Sequence, residues 1–548
     1  YDPDGRIAWL RQADGKAIGV SYDSAGRVDS LATPRGPYAY EYGTAGGNPV
    51  RIDSPGGVSL AFAFDGSVPV EETWTGPVEG NVAREYGDGF STAGMTVNGT
   101  AAVEYVYDPD GLLIAAGDET ILRDPVTGLV AGTILGRVST SLGYNEFGEV
   151  VSCEARFADS CLYSATYTLD GVGRVASAVE NVLGSERVVS YGYDAAGRLE
   201  SVTVDGETVA SCTYDANGNR LSVTDAFGET TAAYDIRDRL LELGAASYSY
   251  TENGDLAGKS IGTDSTGYEY DVFGNLVAVT LPDGTEIDYV VDGLDRRIGK
   301  RRDGLLEQGF LYRDLINPAA ELGPSHEVVS RFVYGSRSHV PDYLVQNGGT
   351  YAMISDLRGS PRLVVDVESG QIVQEMDCDV FGKVIRDTNP GFQPFGFAGG
   401  LYDRDTDLVR FGHRDYDPEA GRWTARDPID FSGSVPNLYA YGDGDPVNNV
   451  DPLGLWNAPF NKDHCRQWAD TYRDEACKIS SKRARDIALS QAKKFRENCD
   501  YLVDNMESLT AEDIDRTGMD ERYAREWERM RRYAVSYTHL TVPTKRIV

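Results

Sequence analysis

The sequence predicts a mainly β protein built of stacked hairpins and followed by a small α-helical piece at its C-terminal end. Three observations carry that expectation. A unit Tyr-Asp-x-x-Gly-Arg/Asn recurs along the first three hundred residues, and the residues after each copy alternate apolar and polar. The chain holds 61 Gly among 548 residues, about 11% against a usual ~7%. Tyr (33) outnumbers Phe (17), as expected where amphipathic rings flank many tight turns.

The chain opens on Tyr1-Asp2-Pro3-Asp4-Gly5-Arg6, in the middle of a repeat and without Met, and reads as a fragment. Its clearest repeat copies are YDSAGRV at Tyr22, YDPDGLL at Tyr107, YDAAGRL at Tyr193, YDANGNRL at Tyr214 and YDVFGNL at Tyr270. TLDGVGRV, YDIRDRLL at Tyr234, YTENGDL at Tyr250 and VVDGLDRR are degenerate copies. At the Tyr-equivalent position the series runs 169, 193, 214, 234, 250, 270, 291. A spacing near twenty residues marks an array. In each unit Asp caps the turn through its own backbone and Gly accepts a positive φ. The following stretch, such as Arg198-Leu199-Glu200-Ser201-Val202-Thr203-Val204, has the period of a half-buried strand. Each unit is a hairpin with one apolar face to hide, and stacking hides it. The Tyr-Asp pair itself reads as a packed ring with a turn cap.

Residues 411–456, FGHRDYDPEAGRWTARDPIDFSGSVPNLYAYGDGDPVNNVDPLGLW, break this pattern. Asp-Pro pairs begin at Asp417, Asp427, Asp445 and Asp451, with Arg414, Arg422 and Arg426 around the first two. Taken with Phe397, Gly399 and Tyr402 upstream, Asn437-Leu438-Tyr439 within, and Asp451-Pro452-Leu453-Gly454-Leu455 at its end, the stretch resembles the core-associated domain of RHS/YD-repeat proteins. That family includes polymorphic toxins and toxin-complex C subunits. The resemblance covers about the first 455 residues. It implies that the hairpins coil into a spiral sheet closing as a hollow shell over residues 1–370. A core-associated domain, 371–455, would curl inside that shell and cut the chain after the DPxGL leucine, at Leu455–Trp456. The residues matching the family's cleavage machinery are Asp427, Asp451 and Arg414.

Two carboxylates hydrolyse a peptide when one is ionised and the other protonated, which close like charges in a poorly solvated site allow. An arginine beside them holds one ionised. Asp-Pro-x-Gly is also a good type I turn, and an Arg–Asp pair also serves as a plain staple. Two positions depart from the family pattern: Asp430 stands where Gly is usual, and Asp415 follows Arg414 where an aromatic is common. Either extra carboxylate competes for Arg414, and Asp417, Asp443 and Asp445 are alternative partners.

Beyond the junction, residues 456–534 read as the helical start of a variable effector. Trp468, Tyr472, Ala476 and Ile479, then Ala488, Ala492, Phe495, Cys499, Leu502 and Met506, fall at helical spacing. Thr510-Ala511-Glu512-Asp513 resembles a capping box. Cys499 and His464 read as a packing residue and a solvated or capping residue. The last fourteen residues, 535–548 (VSYTHLTVPTKRIV), closely resemble a translated sequencing-library adapter and are set aside as an artefact.

Charge separates the two parts. Residues 1–455 carry 34 Lys+Arg against 70 Asp+Glu, whereas 456–548 carry 18 against 16, in a chain of net charge −34. The acidic part repels nucleic acid and anionic membranes. The seven Cys and five His show no metal-ligand spacing, no cofactor motif occurs, and no apolar run reaches membrane-spanning length. The expected function is that of an RHS-repeat polymorphic toxin fragment, secreted or at the cell surface. Its shell would enclose its own C-terminal effector and release it by single-turnover autoproteolysis. Expected partners are that cargo, a delivery system or shell-closing subunit, and an immunity protein. The alternative is a secreted adhesion or carbohydrate-binding YD-repeat protein without cleavage.

Overall fold

The computed structural model describes residues 1–43, 47–87, 90–430 and 437–455. Trp456, the helical pattern over 463–506, Cys499, His464, the capping box and the adapter-like tail lie outside the described residues.

One antiparallel sheet of 37 strands runs from Trp9–Arg11 to Val384–Asp387. Every strand is hydrogen-bonded to its neighbours in the chain, from Trp9–Arg11 against Ala17–Tyr22 to Ile372–Cys378 against Val384–Asp387. The sheet is a single meander, as a string of hairpins dictates. It is not closed: its first and last strands each pair on one side only among the described residues.

The repeat unit explains its own geometry. At Asp23, Oδ1 accepts the N–H groups of Ala25 and Arg27 (both 2.9 Å), and Oδ2 accepts Arg27 Nε at 2.7 Å. Gly26 N–H bonds back to the Asp23 carbonyl with φ +81°, a conformation that glycine adopts without cost. Where the glycine is missing, in YDIRDR and VDGLDR, Asp238 (φ 61°) and Asp295 (φ 64°) make the same turn, since Asp tolerates this region better than most residues. The arginine then reaches forward. Arg27 lies 4.2 Å from the centroid of the Tyr42 ring, and the Tyr42 hydroxyl donates to the Val28 carbonyl at 2.8 Å. Arg174 with Tyr193 and Arg198 with Tyr214 repeat the arrangement. Most Tyr-equivalent positions also carry a register shift, as at Gly192/Tyr193 and Thr213/Tyr214. Such bulges raise local twist. Each turn is therefore locked internally by Asp and to the next hairpin by Arg and Tyr.

A sheet that twists in one sense at every step comes back over itself. Side chains make the return contact. Asp14 N–H meets Asn253 Oδ1 (3.2 Å), Trp74 Nε1 meets Asp292 Oδ2 (3.0 Å) and Arg84 Nε meets the Arg313 carbonyl (3.2 Å). Tyr343 bridges Ala116 and Asp118. These partners lie 218 to 239 residues apart, so one circuit of the spiral takes roughly that length of chain. Nearer the C-terminal end the separation falls to 182–190, at Glu180–Arg362 and Arg187–Asp377.

The segment after Asp387 lies along these turns. It carries a second sheet of four short strands, Leu401–Asp403, Leu408–Phe411, Arg414–Asp417 and Arg422–Trp423. It contacts five consecutive repeat turns: Asn437 bonds Asn219, Arg422 the Asp238 carbonyl, Tyr439 the Gly254 carbonyl, Arg410 Asn275, and Asp415 Arg297. Leu408, Ala420 and Ala425 complete an apolar cluster with Leu240, Leu256, Leu276 and Ile287 of the large sheet.

The turn cap makes a direct prediction. Asp271 is 8% exposed, and its carboxylate accepts Phe273 N–H (2.8 Å), Asn275 N–H (3.0 Å) and Asn275 Nδ2 (3.1 Å). Asp271→Ala strands these donors and is expected to cost about 2–3 kcal/mol. Asp23→Ala, at an exposed turn, lowers the denaturant midpoint less. Equal shifts in the two variants would contradict the role given to burial.

Candidate functional site

The strand Arg414–Asp417 follows a tight turn at Gly412, and the DPLGL segment lies against that turn. His413 N–H bonds the Leu453 carbonyl at 2.9 Å. Gly454 has φ +62°, and a Cβ there would stand 2.5 Å from the Phe411 carbonyl oxygen and 2.9 Å from Arg414 N. Only glycine lets the two backbones pass this closely. That contact explains the glycine of the motif.

Arg414 is 2% exposed on its side chain and uses its whole guanidinium. Nη2 stands 2.9 Å from Asp427 Oδ2 and 3.3 Å from Asp451 Oδ2. Nε donates to the Gly454 carbonyl at 2.5 Å, and Nη1 to the Leu438 carbonyl at 3.2 Å. The Trp423 ring lies beneath, with its centroid 4.2 Å from the guanidinium carbon. The structure thus brings Asp427, Asp451 and Arg414 together around one nitrogen. Leu455 is 6% exposed, and its N–H donates to Asp451 Oδ1 at 3.1 Å. Asp427 caps its own turn through Ile429 N–H (2.9 Å).

One guanidinium neutralises one carboxylate, and the second must bear its burial. Burial pushes Asp451 up to about 6, against the pull of Arg414 and the Leu455 N–H, and the neighbouring Asp427 adds to the rise. Burial likewise depresses the Arg414 guanidinium, opposed by both carboxylates. At neutral pH the cluster holds a buried carboxyl able to exchange a proton near the end of DPLGL.

The competing carboxylates are engaged elsewhere. Asp415 points away from Arg414 and is shared by Arg297 (2.8 Å) and Arg410 (2.9 Å). Asp430 is solvent-exposed beside Arg426 at 3.4 Å, and its φ of 50° accounts for the glycine usual at that position. Asp417 caps Glu419 and Ala420, and Asp445 caps Val447 and Asn448. Asp443 sits at φ 58° within the short 3-10 turn Gly442–Gly444. Sequence reasoning missed the aromatic floor, in which Phe397, Phe411, Tyr416, Trp423 and Tyr441 pack on one another. Tyr416 and Tyr441 have centroids 4.6 Å apart. The visible signal was the aromatic spacing of FGHRDYD, GRW and LYAY. The Leu438 carbonyl, which receives Arg414, has no side-chain signature.

Among the described residues no group of three or more His, Cys, Asp or Glu side chains is placed to hold a metal. No helix among them is long and apolar enough to cross a membrane.

The long antiparallel sheet of repeated hairpins is the fold of a YD-shell. The chain belongs to the Teneurin YD-shell family, whose family model matches residues 1–447. Human Teneurin-4 is 31% identical over 333 residues, covering 58% of this chain and 12% of that protein. The tRNA3(Ser)-specific nuclease WapA of Bacillus spizizenii is 30% identical over 276 residues, covering 48% of this chain and 12% of the nuclease. The structure of the Photorhabdus luminescens Tc holotoxin pore superposes with a TM-score of 0.63 at 15% identity, over 83% of this chain and 27% of that one. The crystal structure of TcdB2-TccC3-TEV gives 0.62 at 17%, with the same shares covered. The chain therefore spans about an eighth of these curated relatives, and the two solved structures establish the fold.

The Arg414 cluster is testable without reference to activity. Arg414→Met leaves Asp427 and Asp451 buried without their cation and is expected to cost about 3–5 kcal/mol. Adding Asp427→Asn and Asp451→Asn should recover part of that loss. A variant of unchanged thermal stability would show that the cluster is solvated.

Proposed function

We propose that this chain is the shell portion of an RHS-type toxin, in which residues 371–455 cut the Leu455–Trp456 bond and free the C-terminal piece as an effector held by residues 1–370. The observation that carries this reading is the convergence of Arg414, Asp427 and Asp451 on the DPLGL backbone, with Arg414 bonded to the Gly454 carbonyl and Asp451 to the Leu455 N–H. In the proposed reaction Asp427 takes a proton from a water molecule as its oxygen attacks the Leu455 carbonyl carbon. Asp451, protonated at the start, passes its proton to the Trp456 nitrogen as the C–N bond breaks. The products are a Leu455 carboxyl and a Trp456 amine. Substrate and catalyst share a chain, so high effective concentration replaces binding, and one turnover suffices. The chain would work outside the producing cell or at its surface, with a delivery or shell-closing subunit and an immunity protein as partners.

Sugar recognition by the Tyr-Asp pairs has less support. The ring of Tyr42 is covered by Arg27 and its hydroxyl is bonded to Val28, and Tyr193 and Tyr214 are engaged in the same way. Glycan binding by an uncut chain would favour the surface-adhesion reading instead.

Under denaturing conditions the purified protein is expected to run as two pieces, the smaller beginning at Trp456 by mass spectrometry. Asp427→Asn and Asp451→Asn should each fold and remain intact. Cleavage persisting in both would remove these carboxylates from the mechanism.

The pH dependence follows from Asp451. Its carboxyl holds a proton up to about 6, and the proposed acid must be protonated. Cleavage of uncut chain refolded from denaturant should be fast below that pH and slow about tenfold per unit above it. A rate that rises from pH 6 to 8 would assign the acid role to another group.

A further inference from the structure

Behind the cleavage cluster, where the repeat turn after Asp292 meets the inner segment, lies a cavity of about 30 Å³. Arg296, Arg297, Arg410, His339, Asn317 and Pro452 help to line it, and no carboxylate does. Four of the residues that line it each hold a buried nitrogen with no hydrogen-bond partner within the protein: Arg296 Nη2, Arg297 Nε, Arg410 Nε and His339 Nε2. The three arginines are 3%, 6% and 4% exposed. Buried N–H groups are almost always satisfied, so several around one space mark a missing acceptor.

The surrounding charges point the same way. Arg296 pairs with Asp292 and Glu72, each at 2.8 Å, and Glu72 also serves Arg84 at 2.8 Å. Arg297 and Arg410 share the single carboxylate of Asp415. Four guanidiniums thus face three carboxylates. Asp403, the next acid toward Arg297, is tied to Lys300 at 2.7 Å. Asp271 and Asp295 are screened from Arg410 by Asn275, whose amide they accept. Burial depresses the Arg410 guanidinium despite Asp415, whereas Arg296 beside Asp292 and Glu72, and Arg297 beside Asp415, are raised against their burial, so the incompletely neutralised cation is Arg410. Burial and the nearby Arg337 lower His339, opposed by a hydrogen bond to the Arg358 backbone, so the three arginines are the donors on which the site depends.

We propose that this cavity binds a small monovalent anion of halide size. The space exceeds the ~10–15 Å³ that one water requires. It is too small for sulfate or phosphate. The bound anion would accept the unpartnered donors and neutralise the excess buried charge. It would also tie three pieces of chain together: the turn at 296–297, the strand Leu408–Phe411, and Pro452 of the DPLGL segment. This site does not depend on the cleavage reading, since the anion neither touches Asp427 or Asp451 nor enters the reaction.

The deciding experiment uses the full chain crystallised in sodium bromide. An anomalous peak is expected within hydrogen-bond reach of Arg297 and Arg410. In solution the unfolding midpoint should rise saturably with sodium chloride relative to sodium gluconate at equal ionic strength. Arg410→Met, which removes the excess charge, should abolish that difference. If the variant fails to fold, the bromide map of the unaltered chain decides alone. An empty cavity in bromide overturns the proposal, and so does a midpoint that is the same in chloride and gluconate.

Discussion

The Asp-capped turn, with its arginine laid on the tyrosine of the next hairpin, is the interaction on which the rest of the molecule depends. A lone hairpin is marginal in water, and a long sheet of independent hairpins would slip in register wherever its faces are alike. Here many of the turns are fixed by three bonds to one carboxylate, as at Asp194 with Ala196 and Arg198. The same arginine then sets where the next strand ends. Repeating one bulge and one stack at each step repeats the same twist, so the circuit length follows from the unit. The return contacts at Asp14–Asn253, Trp74–Asp292 and Arg84–Arg313 span 239, 218 and 229 residues, a spread of about one repeat.

The row of turns is also the surface that receives the inner segment. Its polar residues meet polar groups that the turns present at fixed intervals, which is why Asn437, Arg422, Tyr439, Arg410 and Asp415 find partners on successive repeats. The inner segment has little regular structure of its own. Its short strands are held by Asp–Arg pairs and by the Phe397–Tyr441 aromatic cluster, so its shape is borrowed from the shell. A core of this kind is rich in buried charge, and buried charge tolerates no missing partner. The Arg297–Asp415–Arg410 and Arg414–Asp427–Asp451 groups stand back to back on one strand, Arg414–Asp417, facing opposite sides through alternate residues.

Much of this was legible in the sequence, because the unit is local. Tyr-Asp-x-x-Gly-Arg names its turn, its cap and its stack within six residues, and the alternation after it names the strand. Even the degenerate copies at Tyr234 and Val291 keep the turn, with Asp replacing Gly. What sequence could not convey is distance across the spiral. Arg297 and Asp415 are 118 residues apart, and Trp74 and Asp292 are 218 apart. No periodicity links such pairs, since they depend on the accumulated twist of many strands. The neighbourhood of Arg414 was readable as a set of residues but not as a geometry. Asp415 adjoins Arg414 in sequence and looks like its natural partner, yet strand alternation turns it to the opposite face.

That alternation bears on why a carboxyl near neutrality arises at Asp451. Were Asp415 also directed at Arg414, three acids would share one guanidinium and the cluster would be too acidic to bury. Were Asp427 absent, one of the influences that raise Asp451 would be lost, while burial, the largest, would remain. With two acids and one arginine in a buried site, Asp451 is raised to about 6, chiefly by burial and further by Asp427. The position is reached only when Gly454 passes within contact of Phe411 and Arg414, which brings the end of the segment and its aspartate into the site together. The cluster is buried only where the segment and the sheet are packed together. A chain that has not completed its spiral carries the same residues without the buried pair. Any chemistry that requires a shared proton at this site is in that way conditional on the shell having folded.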